Sequence, residues 1–185
     1  MNSFYLTYVL WISSEIFLNR FIRSGKGDMK AADKNSETYL WLTITVSITT
    51  GVFVSSLYQF PIFSNERVAL IGILVIILGI IVRFIAIKQL GRFFTVDVTI
   101  RQDHQLMQDG FYKYLRHPSY SGSLMSFIGF GFSLNNWASL AIVFLPTLFT
   151  FIYRMNIEED VLTEQFGVKY QDYMSTTKRI LPFIY

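Results

Sequence analysis

Cysteine is absent from the 185 residues, and histidine occurs only twice, as His104 and His117. The first absence excludes disulfides and thiolate metal sites. The second excludes a multi-histidine metal centre. No internal repeat and no low-complexity tract marks an array or a disordered tail. Charge is sparse, at 16% of residues with a net value of +3, whereas 52% of residues are hydrophobic. That proportion is unusual for a soluble domain of this length and indicates a membrane protein.

Segments 4–19, 39–58 and 68–90 are expected to cross about 30 Å of hydrocarbon as helices. The first is short and carries Glu15. It lacks a basic start and a small-residue cleavage site, so it is expected to stay as an anchor and not to be removed as a signal peptide. A fourth apolar stretch, 120–153, is too long for one span and is broken by Leu134, Asn135 and Asn136. It reads as a helical hairpin with arms 120–134 and 137–153.

Lysine and arginine test this five-span arrangement, because cytoplasmic loops collect positive charge. None precedes the first span. Arg20, Arg23, Lys26, Lys30 and Lys34 follow it, and Arg67 alone follows the second. Lys88, Arg92, Arg101, Lys113 and Arg116 follow the third, the Asn135 turn has none, and Arg154, Lys169, Lys178 and Arg179 follow the last. The alternation places the N-terminus outside and the C-terminus in the cytoplasm, together with the polar loop 90–122. It also accounts for the modest net charge, leaving no case for nucleic acid. Residues 25–37 read as an exposed polar loop.

Polar groups at a membrane boundary are costly unless solvated, paired or used. In the run Arg116, His117, Pro118, Ser119, Tyr120, the proline disfavours a helical His117 and suits the first turn of the next helix. That turn offers free N–H groups to an anionic group; the alternative is an interfacial anchor. A second cluster holds His104, Gln105, Leu106, Met107 and Tyr112, with Asp109-Gly110 as a turn. A flat aromatic and a neutral imidazole suit an adenine face and a ribose, although a solvated loop histidine explains the same residues. In the third, Arg154 and Glu158 are i,i+4 neighbours and Glu159 is rotated about 100° away. They read either as a local ion pair or as a grip on an anionic headgroup beside a cationic cofactor. Arg83 and Glu15 lie at similar depth and read as structural partners. The tail from Glu164, with Tyr170, Tyr173 and Pro182, reads as an amphipathic interfacial helix covering the site.

These clusters, in this order, resemble the isoprenylcysteine carboxyl methyltransferase family. The pattern runs LGxFxTxxV (Leu90, Gly91, Phe93, Thr95, Val98), then HxLxxxGxYxxxRHPxYxG (His104, Leu106, Gly110, Tyr112, Arg116, His117, Pro118, Tyr120, Gly122). RxxxEE (Arg154, Glu158, Glu159), FGxxYxxY (Phe166, Gly167, Tyr170, Tyr173) and a closing Arg179 and Pro182 complete it. The match covers roughly the C-terminal half. RHPxYxG alone is shared with phospholipid N-methyltransferases and, more loosely, with steroid-reductase-like membrane proteins.

The resemblance implies an all-α integral membrane protein of about five transmembrane helices with a cytoplasmic pocket for S-adenosylmethionine. It implies one membrane domain over 1–185: three N-terminal helices in 1–90, and a catalytic half in 91–185 with cofactor loop, hairpin and interfacial helix. His104, Gln105, Leu106, Met107, Tyr112, His117, Pro118, Ser119, Tyr120 and Glu158 would bind the cofactor, and Arg154 would position the substrate. The acceptor would be a lipophilic small molecule or lipidated group reached sideways from the bilayer. The short N-terminal part resembles the prokaryotic branch, which would place the chain in an inner membrane.

That branch leaves the acceptor open between a prenylcysteine-like carboxylate and an acidic hydroxyl of a polyketide lipid. A carboxylate is ionised at neutral pH and needs alignment but no general base, whereas an ordinary alcohol needs one, with His104 and His117 the histidine candidates. The rivals are phospholipid N-methylation, which Arg154 would oppose by repelling an amine, a nicotinamide-dependent membrane reductase, and a non-enzymatic scaffold.

Overall fold

In the computed structural model, residues 3–21, 29–30, 35–65, 67–94, 99–100 and 105–181 are described. The described part is almost entirely helical: α1 (Ser3–Phe21), α2 (Ser36–Leu57), α3 (Val68–Leu90), α4 (Pro118–Ser133), α5 (Trp137–Phe166) and α6 (Val168–Thr176). A two-residue antiparallel pairing joins Met29–Lys30 to Thr99–Ile100. Three described helices, Ser36–Leu57, Val68–Phe93 and Trp137–Phe166, are long and apolar enough to cross a membrane, and Leu6–Leu18 is a shorter apolar stretch.

The helices are apolar nearly all round, so their large side chains face outward without penalty in lipid. Leu42, Phe53, Leu74 and Phe149 are all more than 60% exposed. What brings helices together is small residues, which let backbones approach. A Cβ on Gly72 would lie 2.4 Å from the backbone N of Ser133, one on Gly129 2.6 Å from the carbonyl of Gly72, and one on Gly122 2.6 Å from the backbone N of Arg83. The α3–α4 seam is therefore a zipper of glycine and serine, with Ser126 Oγ 3.3 Å from the Ile76 carbonyl.

Packing runs α1 on α3, α3 along α4, α4 on α5, and α5 along α2. Because α2 packs on α5, the N-terminal and C-terminal halves interlock. Among the described residues α1 and α2 pack chiefly on different helices, and both line one cavity of the bundle. Its buried core contains Trp11, Ile76, Leu124, Phe127, Val143 and Phe151, with the Trp11 ring edge-on to Phe127 at 5.0 Å.

The hairpin break falls at Leu134 to Asn136, where Asn135 takes φ 46° and Asn136 accepts from the backbone N of Ser139 at 3.0 Å. Both asparagines also hold the 58–65 segment: Asn135 Oδ1 accepts from Ile62 N at 3.0 Å, and Asn136 Nδ2 donates to the Tyr58 carbonyl at 2.6 Å. The second arm is longer than the sequence suggests. It continues unbroken from Tyr153 to Phe166 and ends only at Gly167, whose φ of 55° suits glycine. Arg154, Glu158 and Glu159 consequently lie within one continuous helix.

Candidate functional site

The polar loop is shaped by Gly110 and Pro118. Gly110 has φ 61°, and a Cβ there would lie 2.5 Å from the side chain of Gln89, whose Oε1 accepts from Phe111 N at 2.9 Å. This tight turn leads into a 3-10 segment, Gly110–Lys113, that buries Tyr112. His117 has φ −126° and ψ 57°, outside the helical region, and Pro118 opens α4. The extended stretch between them is paired with the chain's tail. Arg116 N donates to the Lys178 carbonyl at 2.7 Å, and His117 N to the Arg179 carbonyl at 2.9 Å. Tyr173 Oη donates to the Tyr112 carbonyl at 2.6 Å. Thus α6 and residues 177–180 bind the loop from beneath; α6 ends at Thr176, ahead of Pro182, which lies outside the described residues.

Two adjacent carboxylates organise the site, and they face different ways. Glu159 is 6% exposed and gathers three basic side chains. Arg116 Nε donates to its Oε1 at 2.8 Å, Arg179 Nη2 to its Oε2 at 2.6 Å, and His117 Nε2 lies 3.1 Å from Oε1. Glu158 lies at the cavity, with Oε2 3.3 Å from His117 Nδ1 and Oε1 receiving a short hydrogen bond from the Tyr120 hydroxyl. Arg154 is 2% exposed. Its Nε donates to Tyr120 Oη at 2.8 Å and lies 3.4 Å from Glu158 Oε1, while Nη1 donates to Ser36 Oγ at 3.0 Å.

His117 is therefore held at both ring nitrogens by carboxylates. Burial opposes its charge, but the hydrogen bonds and charges of Glu158 and Glu159 outweigh burial and raise its pKa above the ordinary histidine value. Burial also pushes the phenols of Tyr112, Tyr170 and Tyr173 upward, so they remain neutral donors.

These groups line one end of a cavity of about 360 Å³. Leu106, Met107, Tyr112, His117, Tyr170 and Glu158 form that end. Ser119, Tyr120, Arg154, Arg83 and Glu15 also line the cavity, and Trp11, Ile44, Ile48, Phe127 and Phe151, from α1, α2, α4 and α5, form an apolar wall. Of the residues singled out from the sequence, Leu106, Met107, Tyr112, His117, Ser119, Tyr120, Arg154 and Glu158 are brought together here. Pro118 is buried at the start of α4 but does not face the cavity, and Gln105 is exposed and away from it. His104 and most of 97–102 lie outside the described residues.

Sequence reasoning missed the clamp on Glu159 and the placement of Tyr170 in the wall. Glu159 sits off the Arg154–Glu158 face, so helical spacing gave no reason to connect it with Arg116 and Arg179. The signal that could have found it is the cost of three basic groups at a membrane boundary, which demands a counter-charge.

A family model described as phospholipid methyltransferase matches residues 68–169, from α3 through the end of α5. Fold and site thus fall in a class of integral-membrane methyltransferases. Among curated relatives, protein-S-isoprenylcysteine O-methyltransferase B of Arabidopsis thaliana is 38% identical over 146 residues, covering 77% of this chain and 71% of that protein. The Dictyostelium discoideum protein-S-isoprenylcysteine O-methyltransferase is 33% identical over 143 residues, 69% of this chain and 55% of the relative. The chain belongs to the isoprenylcysteine carboxyl methyltransferase family. A solved structure of a eukaryotic intramembrane Ras methyltransferase of that name shares the fold, with a TM-score of 0.58 and 24% identity, over 98% of this chain and 62% of that one. The chain thus spans roughly half to seven-tenths of its relatives' lengths.

Proposed function

We propose that this chain transfers a methyl group from S-adenosylmethionine to an oxygen of a lipophilic acceptor, with the carboxylate of a prenylcysteine-like molecule preferred. The observation that carries this reading is a single cavity, apolar along α1 and α2 and polar at the loop, whose only described histidine is occupied at both nitrogens. An imidazole whose two nitrogens are both engaged by carboxylates has no free lone pair to serve as a general base. An acceptor oxygen already ionised at neutral pH fits such a site, and an ordinary alcohol does not. The names of the relatives supply the acceptor class.

The residues present suit the donor. Tyr170 Oη is buried with no partner among the described residues, Tyr112 offers a flat aromatic wall, and Glu158 offers a carboxylate to a cationic ligand. Leu106, Met107, Tyr112, His117, Ser119, Tyr120 and Glu158 would hold it, with His104, Gln105 and Pro118 assigned by family likeness. Bound there, S-adenosylmethionine supplies an electrophilic methyl on a sulfonium. The protein contributes position: His117 and Tyr120 fix the Glu158 carboxylate, and Arg154 orients the acceptor oxygen by charge-assisted hydrogen bonds. The polar end of the cavity faces the cytoplasm, with the N-terminus outside and both ends of one membrane domain contributing to the site.

Calorimetric titration with S-adenosylhomocysteine, followed by incubation with labelled donor and an acetylated farnesylcysteine, tests the proposal. Expected are binding and a product that releases methanol in base. Stable protein that does not bind the ligand overturns the methyltransferase reading, and Arg154→Ala protein that folds yet keeps full turnover overturns the role of Arg154. The family-model name favours one second reading, phospholipid N-methylation. Labelled methyl appearing on a headgroup amine, resistant to base, would establish it instead.

A further inference from the structure

Arg83 and Glu15 stand on the wall of the cavity that the cluster around Glu158 does not use. Arg83 lies seven residues before the end of α3, about 10 Å inward at the rise of an α-helix. An ionised side chain at such depth is expensive and is retained where it is paired or used. Its pairing is incomplete. Nη2 meets Glu15 Oε2 at 3.0 Å, and Nη1 donates to the Ser119 carbonyl at 3.2 Å. Nε is buried and has no partner among the described residues.

A guanidinium that serves only to clamp two helices favours a side-on, two-pronged carboxylate contact. Here the carboxylate is held by one nitrogen, and a second donor is left unspent beside a cavity. Both side chains line that cavity together with His117, Trp11 and Leu18. Gly122 lets α4 pack directly on the Arg83 backbone, which brings the Ser119 carbonyl within reach of Nη1. Arg154 already serves Glu158, Tyr120 and Ser36 from the α5 side.

We propose that Arg83 is a second anion-binding residue for the acceptor's carboxylate, acting beside Arg154, with Glu15 as the internal carboxylate that occupies the guanidinium until the acceptor arrives. This rests on the acceptor being a lipophilic carboxylate, as set out above. It predicts effects of opposite sign for the two halves of one ion pair. Neutralising Arg83 removes one of the two cationic contacts, whereas neutralising Glu15 removes a competitor. A purely structural clamp predicts that both changes damage the protein in the same direction.

The experiment measures equilibrium binding of acetylated farnesylcysteine and of its carboxamide to the full chain in detergent, for wild type, Arg83→Met, Arg83→Lys and Glu15→Gln. S-adenosylhomocysteine is titrated into each. Wild type is expected to prefer the acid over the amide about tenfold. Arg83→Met should cut that preference threefold or more, Arg83→Lys should restore part of it, and Glu15→Gln should increase it threefold or more, with S-adenosylhomocysteine affinity within twofold throughout. Equal loss in Arg83→Met and Glu15→Gln, or an unchanged acid preference in Arg83→Met, overturns the proposal. So does a selective loss of S-adenosylhomocysteine, which would assign the anion to the donor's own carboxylate. Methyl ester formation by wild type is scored separately, so absence of turnover sinks the catalytic reading while the acid-to-amide comparison still decides the role of Arg83.

Discussion

Replacing Glu159 by glutamine is expected to unfasten the tail from the loop, while the same change one residue earlier should not. Glu159 neutralises Arg116 and Arg179 and meets His117 in a site that is 6% exposed. Removing one member of a buried pair leaves charge uncompensated and costs about 3–5 kcal/mol. The lower end applies here, since the Arg179 side chain is 23% exposed and can reach water. About 3 kcal/mol corresponds to a fall of about 6–12 °C in melting temperature for a chain of this size. Arg116 also holds the carbonyls of Met174 and Thr177, so the loss should be felt first in residues 174–180. Fluorescence-monitored melting in detergent, with limited trypsin digestion at Lys178 and Arg179, reads both effects. Glu158→Gln keeps the Glu159 clamp, and Arg154 still donates to Tyr120 and Ser36, so it should melt above Glu159→Gln yet lose S-adenosylhomocysteine binding. If Glu159→Gln melts with wild type, or if Glu158→Gln is the less stable of the two, the division of labour between the carboxylates is wrong.

His117 carries the pH dependence. Its folded-state pKa is raised above the ordinary value near 6.5, so its stabilising contribution is complete below that value and is lost as pH rises through the folded pKa. Wild type should therefore lose melting temperature, relative to His117→Gln, as buffers move upward from pH 6; a constant difference between the two would refute this. Gly122→Ala inserts a methyl 2.6 Å from the Arg83 backbone N, between two main chains that cannot rotate away. Overpacking of that kind costs about 1–3 kcal/mol, and an unchanged melting temperature would show that the α3–α4 seam is looser than its geometry.

The helices were legible in the sequence because apolar length and punctuation determine them. Segment 68–90 matches α3 at both ends, and Asn135 and Asn136 mark the hairpin as read. The continuation of α5 was legible as far as Glu159, since Arg154, Glu158 and Glu159 read as one helix, but its run on to Phe166 was not. Past Tyr153 the residues turn polar, which in a membrane chain reads as the end of a span, although nothing breaks the helix before Gly167. The site was legible in outline, since Tyr112, His117, Tyr120, Arg154 and Glu158 do meet. The order of packing was not, because helices that are apolar on every face carry no stripe that names a partner. Among the described residues the glycines of α3 and α4, and Gly51 of α2 against α5, specify contact, and their meaning depends on register. For the same reason the pairing of Glu15 with Arg83 could be suggested by depth alone, while the cavity that α1 and α2 both line could not.

The lack of native cysteine, which removes one kind of chemistry, gives a clean test of orientation. In the structure α1 to α5 alternate in direction, so the ends of α1, α3 and α5 gather with the starts of α2 and α4 at the polar end of the cavity. Lys88, Arg116 and Lys178 lie at that end. The opposite end is built from 58–65 docked on the Asn135 turn, with Arg67 as its nearby basic residue. A charge difference of this kind favours the basic end inward, the orientation proposed above, in which donor and acceptor headgroup would meet at the cytoplasmic face. Ser64 and Ser175 are exposed at opposite ends. In intact cells an impermeant maleimide should label Ser64→Cys and leave Ser175→Cys unlabelled until the membrane is opened. The reverse pattern would put the cavity's polar end outside, away from the cytoplasmic pool of S-adenosylmethionine, and the orientation argued from lysine and arginine would fall.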